Sequence, residues 1–92
     1  MEMNAYLIVF SEQAEQHIQY FKKLNDAAIQ RKISRLLQEL KEHPFEGSGQ
    51  VEALKYDLAG MWSRRINREH RILYEVDDEK RIVYIYKLFG HY

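Results

Sequence analysis

An α+β fold is predicted for this chain: an N-terminal strand, a helical hairpin, then a four-stranded antiparallel meander with both helices on one face. Three observations predict it. Apolar residues recur at helical spacing from Ala14 to Leu40. After the loop FEGSGQ (45–50) the apolar period changes to two. Short polar turns then divide the second half of the chain. With 92 residues, 46% of them apolar, the chain has the size and composition of one small packed domain spanning 1–92.

Tyr6 to Phe10 (YLIVF) is rich in strand formers and apolar on both faces, which predicts a buried strand. Ser11 is a good N-cap, with Glu12 and Glu15 placed in the first helical turn. Ala14, Ile18, Phe21 and Leu24 line one face of the helix that follows. Asn25 and Asp26 break that helix and can cap the next, whose stripe is Ile29, Ile33, Leu36, Leu37 and Leu40. The stripe is core first, and part of that helical face could also serve a homodimer contact. Pro44 ends the helix, because the residue before a proline is pushed out of helical geometry. Strands are then expected over Val51–Tyr56, Met61–Ile66, His70–Val76 and Arg81–Phe89, joined by DLAG, Asn67–Glu69 and DDEK.

The charge is balanced overall, with 14 basic and 14 acidic residues, but not locally. Residues 61–71 hold Arg64, Arg65, Arg68 and Arg71 against Glu69 alone, a basic patch that attracts anions. There is no cysteine, so disulfides and thiolate metal sites are excluded. No apolar run is long enough to cross a bilayer and no leader pattern opens the chain, so a soluble cytoplasmic protein without membrane contact is expected.

Counting register places part of that charge. A three-residue loop at Asn67–Glu69 sets Arg65 opposite Arg71 and Trp62 opposite Tyr74. Trp62, Ile66, Ile72, Tyr74 and Val76 then face the helices, while Ser63, Arg65, Arg71, Leu73 and Glu75 face away. A four-residue turn at DLAG would set Glu52 opposite Arg65. Glu52, Arg65 and Arg71 would then form a row on the open face, one base beside two phosphate-binding forks. Two facing arginines repel unless solvent or an anion separates them. Arg64 and Arg68 are expected at the surface, and Lys55 should alternate away from Glu52. His91 is the best proton shuttle available, and Tyr92 could stack on a base. His17, His43 and His70 have no metal-ligand spacing and are expected to be structural or solvated.

The segments HPFEGSG (43–49), EALK (52–55), GMWSRRI (60–66), EHRILY (69–74) and the final HY, in this order and spacing, resemble toxins of the RelE/ParE superfamily, YoeB/Txe branch. The resemblance covers nearly the whole chain. It implies the RelE-like microbial ribonuclease fold and a type II toxin that cuts mRNA in the ribosomal A site. It implies no metal or cofactor, and a cognate, YefM-like antitoxin as partner. By motif, Glu52 resembles the general base and Arg65 and Arg71 the groups that hold the scissile phosphate. His91 resembles the general acid, Tyr92 the tyrosine beside it, and Lys55 the basic residue after the base. The KLFG that precedes HY departs from the family's usual pattern. Two other classes remain open at this point: a ParE-type gyrase-inhibiting toxin on a similar fold, and a non-catalytic RNA- or protein-binding module.

Overall fold

Two polar side chains set the helical hairpin. In this computed structural model, which describes residues 5–90, Ser11 Oγ accepts from the Ala14 N–H (2.9 Å) and starts α1, Glu12–Lys23. Asp26 Oδ1 accepts from the Ile29 N–H (3.1 Å) and starts α2, Ala27–Glu42. Each satisfies a backbone donor that the first helical turn leaves without a partner. Between the helices, the Gln30 amide donates to the Phe21 and Leu24 carbonyls, closing the hairpin.

The sheet has five strands in the order β1-β5-β4-β3-β2. They are β1 (Leu7–Phe10), β2 (Glu52–Ala53), β3 (Trp62–Arg65), β4 (Arg71–Asp77) and β5 (Ile82–Lys87). The last four form the expected meander, and β1 adds to β5 in parallel, so the sheet is mixed. Both helices cover one face. Phe21, Ile33, Leu36 and Leu40 pack there against Ile72, Tyr74, Val83, Ile85 and Leu88.

The expectation that the first strand is buried on both faces is corrected. As an edge strand, β1 leaves Leu7 63% and Val9 37% exposed, while Ile8 and Phe10 turn toward the core. Apolar composition on both faces does not supply a second layer to cover them.

A bulge between Leu73 and Tyr74 decides how β5 ends. Tyr74 pairs with Ile85, but Leu73 pairs with Lys87, so Tyr86 is the extra residue. The bulge resets the alternation and brings Leu88 into the core beside Ile85. It also keeps the chain alongside β4, where the Arg71 N–H donates to the Gly90 carbonyl (3.1 Å).

Candidate functional site

The Arg65–Arg71 pair lies on the sheet face away from the helices, and its register is the one expected: β3 and β4 pair Trp62 with Tyr74 and Arg65 with Arg71. The Ser63–Leu73 pair beside it is buried there rather than open (1% and 8% exposed). The Arg65 N–H donates outward to the Gly49 carbonyl (2.5 Å), and the Arg71 N–H donates to Gly90. The two arginines therefore form a non-hydrogen-bonded antiparallel pair, the kind that holds side chains closest. Among the described residues neither guanidinium enters a salt bridge. Arg65 is held by neutral acceptors instead. Its Nε donates to the Asn67 carbonyl (3.1 Å) and its Nη1 to Gln50 Oε1 (3.4 Å). Both arginines are half-buried, so they keep net positive charge at a partly desolvated surface.

The position of Glu52 needs correction. It pairs with Ser63, not Arg65. The expected strand over Val51–Tyr56 is only Glu52–Ala53, and the Leu54 N–H donates to the Met61 carbonyl (2.9 Å). The chain then leaves the sheet through a 3-10 turn, Tyr56–Leu58, with Tyr56 at φ 58° and Gly60 at φ 95°. This connection is two residues longer than the expected turn, so the register slips by two. A slip of two preserves the face. Glu52 thus stays on the open side, diagonal to Arg65, and it is exposed. Lys55 is exposed and opens the connection, beyond the pairing that fixes Glu52. His91 and Tyr92 lie outside the described residues.

Arg64 also needs correction. Expected at the surface, it is fully buried at 0% exposure. Its parity places it with Trp62 and Ile66 on the helix side of the sheet. There its Nη1 donates to Glu39 Oε1 (3.1 Å) and the Ser48 carbonyl (3.4 Å). Its Nη2 donates to the His43 carbonyl and to the Glu46 carbonyl (2.6 Å), and its Nε to Tyr74 Oη (3.3 Å). Tyr74 Oη in turn donates to the Pro44 carbonyl (2.7 Å). One guanidinium therefore ties α2, the loop 43–50 and β4 together.

Glu39 completes this clamp by accepting from the Ser48 N–H and hydroxyl, each at 2.8 Å. The Ser48 N–H above all, then its hydroxyl and Arg64, hold the Glu39 carboxyl below its ordinary pKa against the opposing effect of burial. Burial pushes the Tyr74 hydroxyl pKa up, opposed by Arg64. The loop so fixed carries Gly49 and Gln50, two of the three residues that hold Arg65. At Gly49, with φ 90°, a Cβ would lie 2.9 Å from the Arg65 carbonyl oxygen. Arg64 thus positions Arg65 without touching the open face.

Beside the pair, Lys32, Gly49, Gln50, Arg65, Asn67 and Arg68 line a shallow hollow of about 310 Å³, with three cations and no carboxylate. Asn67 shapes its rim, accepting at Oδ1 from the Glu69 N–H (2.9 Å) and the His70 N–H (2.8 Å). Among the described residues no three His, Asp or Glu side chains converge as metal ligands would.

A family model for YoeB-like toxins of bacterial type II toxin–antitoxin systems matches residues 10–92. Toxin YoeB of Escherichia coli is 38% identical over 76 residues, covering 83% of this chain and 89% of that one. A YoeB dimer from Staphylococcus aureus superposes with a TM-score of 0.82 at 40% identity, covering 96% of this chain and 99% of that one. The YoeB of a heterotetrameric YoeB–YefM toxin–antitoxin complex from the same organism gives 0.79 at 41%, covering 95% and 98%.

Proposed function

Because this chain belongs to the YoeB-like toxins of bacterial type II toxin–antitoxin systems, we propose that it is a metal-independent endoribonuclease that cuts mRNA in the ribosomal A site. The observation that carries the reading is the facing Arg65–Arg71 pair, without a carboxylate partner among the described residues, with Glu52 on the same face. A protein that only binds gyrase or another partner has no need of an acid–base set around two phosphate-binding forks.

RNA carries its own nucleophile, the 2′-hydroxyl next to each phosphate. In the proposed reaction Glu52 takes the 2′-hydroxyl proton and the oxygen attacks phosphorus. The Arg65 and Arg71 guanidiniums stabilise the dianionic phosphorane with paired N–H donors. His91 gives a proton to the departing 5′-oxygen, Tyr92 packs beside the reacting nucleotide, and Lys55 holds the RNA backbone near the base. The products are a 2′,3′-cyclic phosphate and a 5′-hydroxyl. The chain's zero net charge supports ribosome dependence, since affinity for free RNA grows with the phosphates neutralised.

The proposed partners are the translating ribosome, a second copy of this chain and a cognate YefM-like antitoxin, in the cytoplasm. The S. aureus relatives, solved as a dimer and with YefM, support the last two. A message with a single 2′-deoxynucleotide at the cut position tests the chemistry. Cutting should stop at that bond and continue at unmodified A-site codons. Cleavage of the deoxy-substituted bond would overturn attack by the 2′-oxygen.

A further inference from the structure

His17 and His70, expected to be structural or solvated, are structural, and both do the same specific thing. The Leu88 N–H donates to His17 Nδ1 (3.0 Å), and the Gly90 N–H donates to His70 Nδ1 (2.8 Å). The carbonyl of Gly90 accepts from the Arg71 N–H (3.1 Å). Gly90 is therefore gripped at both backbone groups by two consecutive residues, His70 and Arg71. Its φ of 76° is a left-handed conformation that favours glycine. Between the two anchored residues, the Phe89 ring packs against His70 (4.6 Å between centroids), His17 (5.7 Å) and Tyr20 (5.1 Å).

These contacts come from two separate places in the chain. His17 sits on α1, His70 leads into β4, and His70's own N–H is fixed by Asn67, whose carbonyl also holds Arg65. The segment 88–90 is thus registered to the same loop that sets Arg65, and its last residue is bonded to Arg71. His91, the residue next to Gly90, is the general acid of the function proposed above. An acid that must meet a leaving oxygen within hydrogen-bond reach needs its backbone fixed.

Resting on that functional reading, we propose that His17 and His70 are positioning residues: two imidazoles whose Nδ1 lone pairs seat segment 88–90 alongside Arg71 and so fix the backbone from which the general acid His91 continues. Only a neutral imidazole can accept at Nδ1. Burial above all, with the charge of Lys87 adding to it, lowers the His17 pKa and so favours that form.

The test separates the acceptor from the ring. His70→Phe keeps the packing on Phe21 and Phe89 and removes the acceptor. His70→Asn keeps an acceptor at the δ position and removes the ring. Amide exchange by NMR reads the anchor, single-turnover cleavage on programmed ribosomes reads placement, and thermal melting reads the fold. His70→Phe should speed exchange at the Gly90 N–H. It should also lower the cleavage rate about 10–100-fold with KM and melting little changed. His70→Asn should recover both readouts in part, and His17→Phe should act in the same way on Leu88.

Wild-type cleavage by His70→Phe, or undiminished Gly90 protection in it, would overturn the proposal. So would a rate loss that simply follows lost melting stability and is not recovered by His70→Asn. If the wild-type protein leaves mRNA intact, the catalytic purpose falls together with the proposed function. The exchange measurement still decides whether the two imidazoles hold the segment.

Discussion

Replacing Arg64 by Met removes one guanidinium and keeps most of the side-chain volume. The wild-type group has five acceptors: the Glu39 carboxylate, the Tyr74 hydroxyl and the carbonyls of His43, Glu46 and Ser48. Met satisfies none of them. Glu39 keeps its two bonds from Ser48 and the carbonyls lose a charged donor, all around a side chain that is fully buried. Breaking a buried ion pair by deleting one partner costs about 3–5 kcal/mol. Small domains have only about 5–15 kcal/mol in total. At about 4–8 °C per kcal/mol for a chain of this size, the melting temperature should fall by roughly 12–40 °C.

Thermal unfolding followed by circular dichroism reads this directly. Arg64→Lys should fall between the two, since an ammonium cannot span five acceptors from one point. Adding Glu39→Gln to Arg64→Met should cost less than the sum of the single changes, because the second removes a charge the first has stranded. An Arg64→Met protein melting within about 2 °C of wild type would show that the clamp contributes nothing net. The claim that it fixes loop 43–50 would then be wrong.

Three further outcomes follow from the same geometry. The Glu39 carboxyl has a folded-state pKa below its ordinary value, so its contribution is fully present above about pH 4.5 and lost as pH falls through the lowered folded value. Acid unfolding should accordingly be less steep in Glu39→Gln than in wild type, and equal slopes would remove Glu39 from the account. Gly49→Ala forces a left-handed residue against the Arg65 carbonyl oxygen and should destabilise by about 1–3 kcal/mol in urea unfolding. An unchanged midpoint would show that the loop yields freely. Arg71→Lys should keep charge but lose the planar fork, lowering cleavage on programmed ribosomes with melting unchanged, whereas full activity would show that charge alone suffices.

The legible parts of this molecule are those that period and parity control. Helical spacing located both helices, and alternation across an Asn67–Glu69 loop placed Arg65 opposite Arg71. The Glu52 register was not legible, because it depends on a 3-10 turn and on Tyr56 adopting a left-handed φ that its residue type does not announce. Arg64 could have been found. Parity put it among Trp62 and Ile66, and Glu39 lies between Leu36 and Leu40 on the helix that covers them. The general tendency of arginine to stay at the surface argued against that reading. The exposure of Leu7 and Val9 could not be read from their own apolar character, since it depends on what the rest of the chain leaves uncovered. Likewise the Nδ1 contacts of His17 and His70 depend on the bulge that resets β5.

Primer extension on a defined mRNA in a purified translation system tests the central claim most directly, comparing wild type with Glu52→Gln and Arg65→Ala. The account predicts new 5′ ends within the A-site codon for wild type. They should be absent when ribosomes are omitted and lost in both variants while their melting stays near wild type. Intact message with folded wild-type protein, or undiminished cutting by either variant, would contradict it.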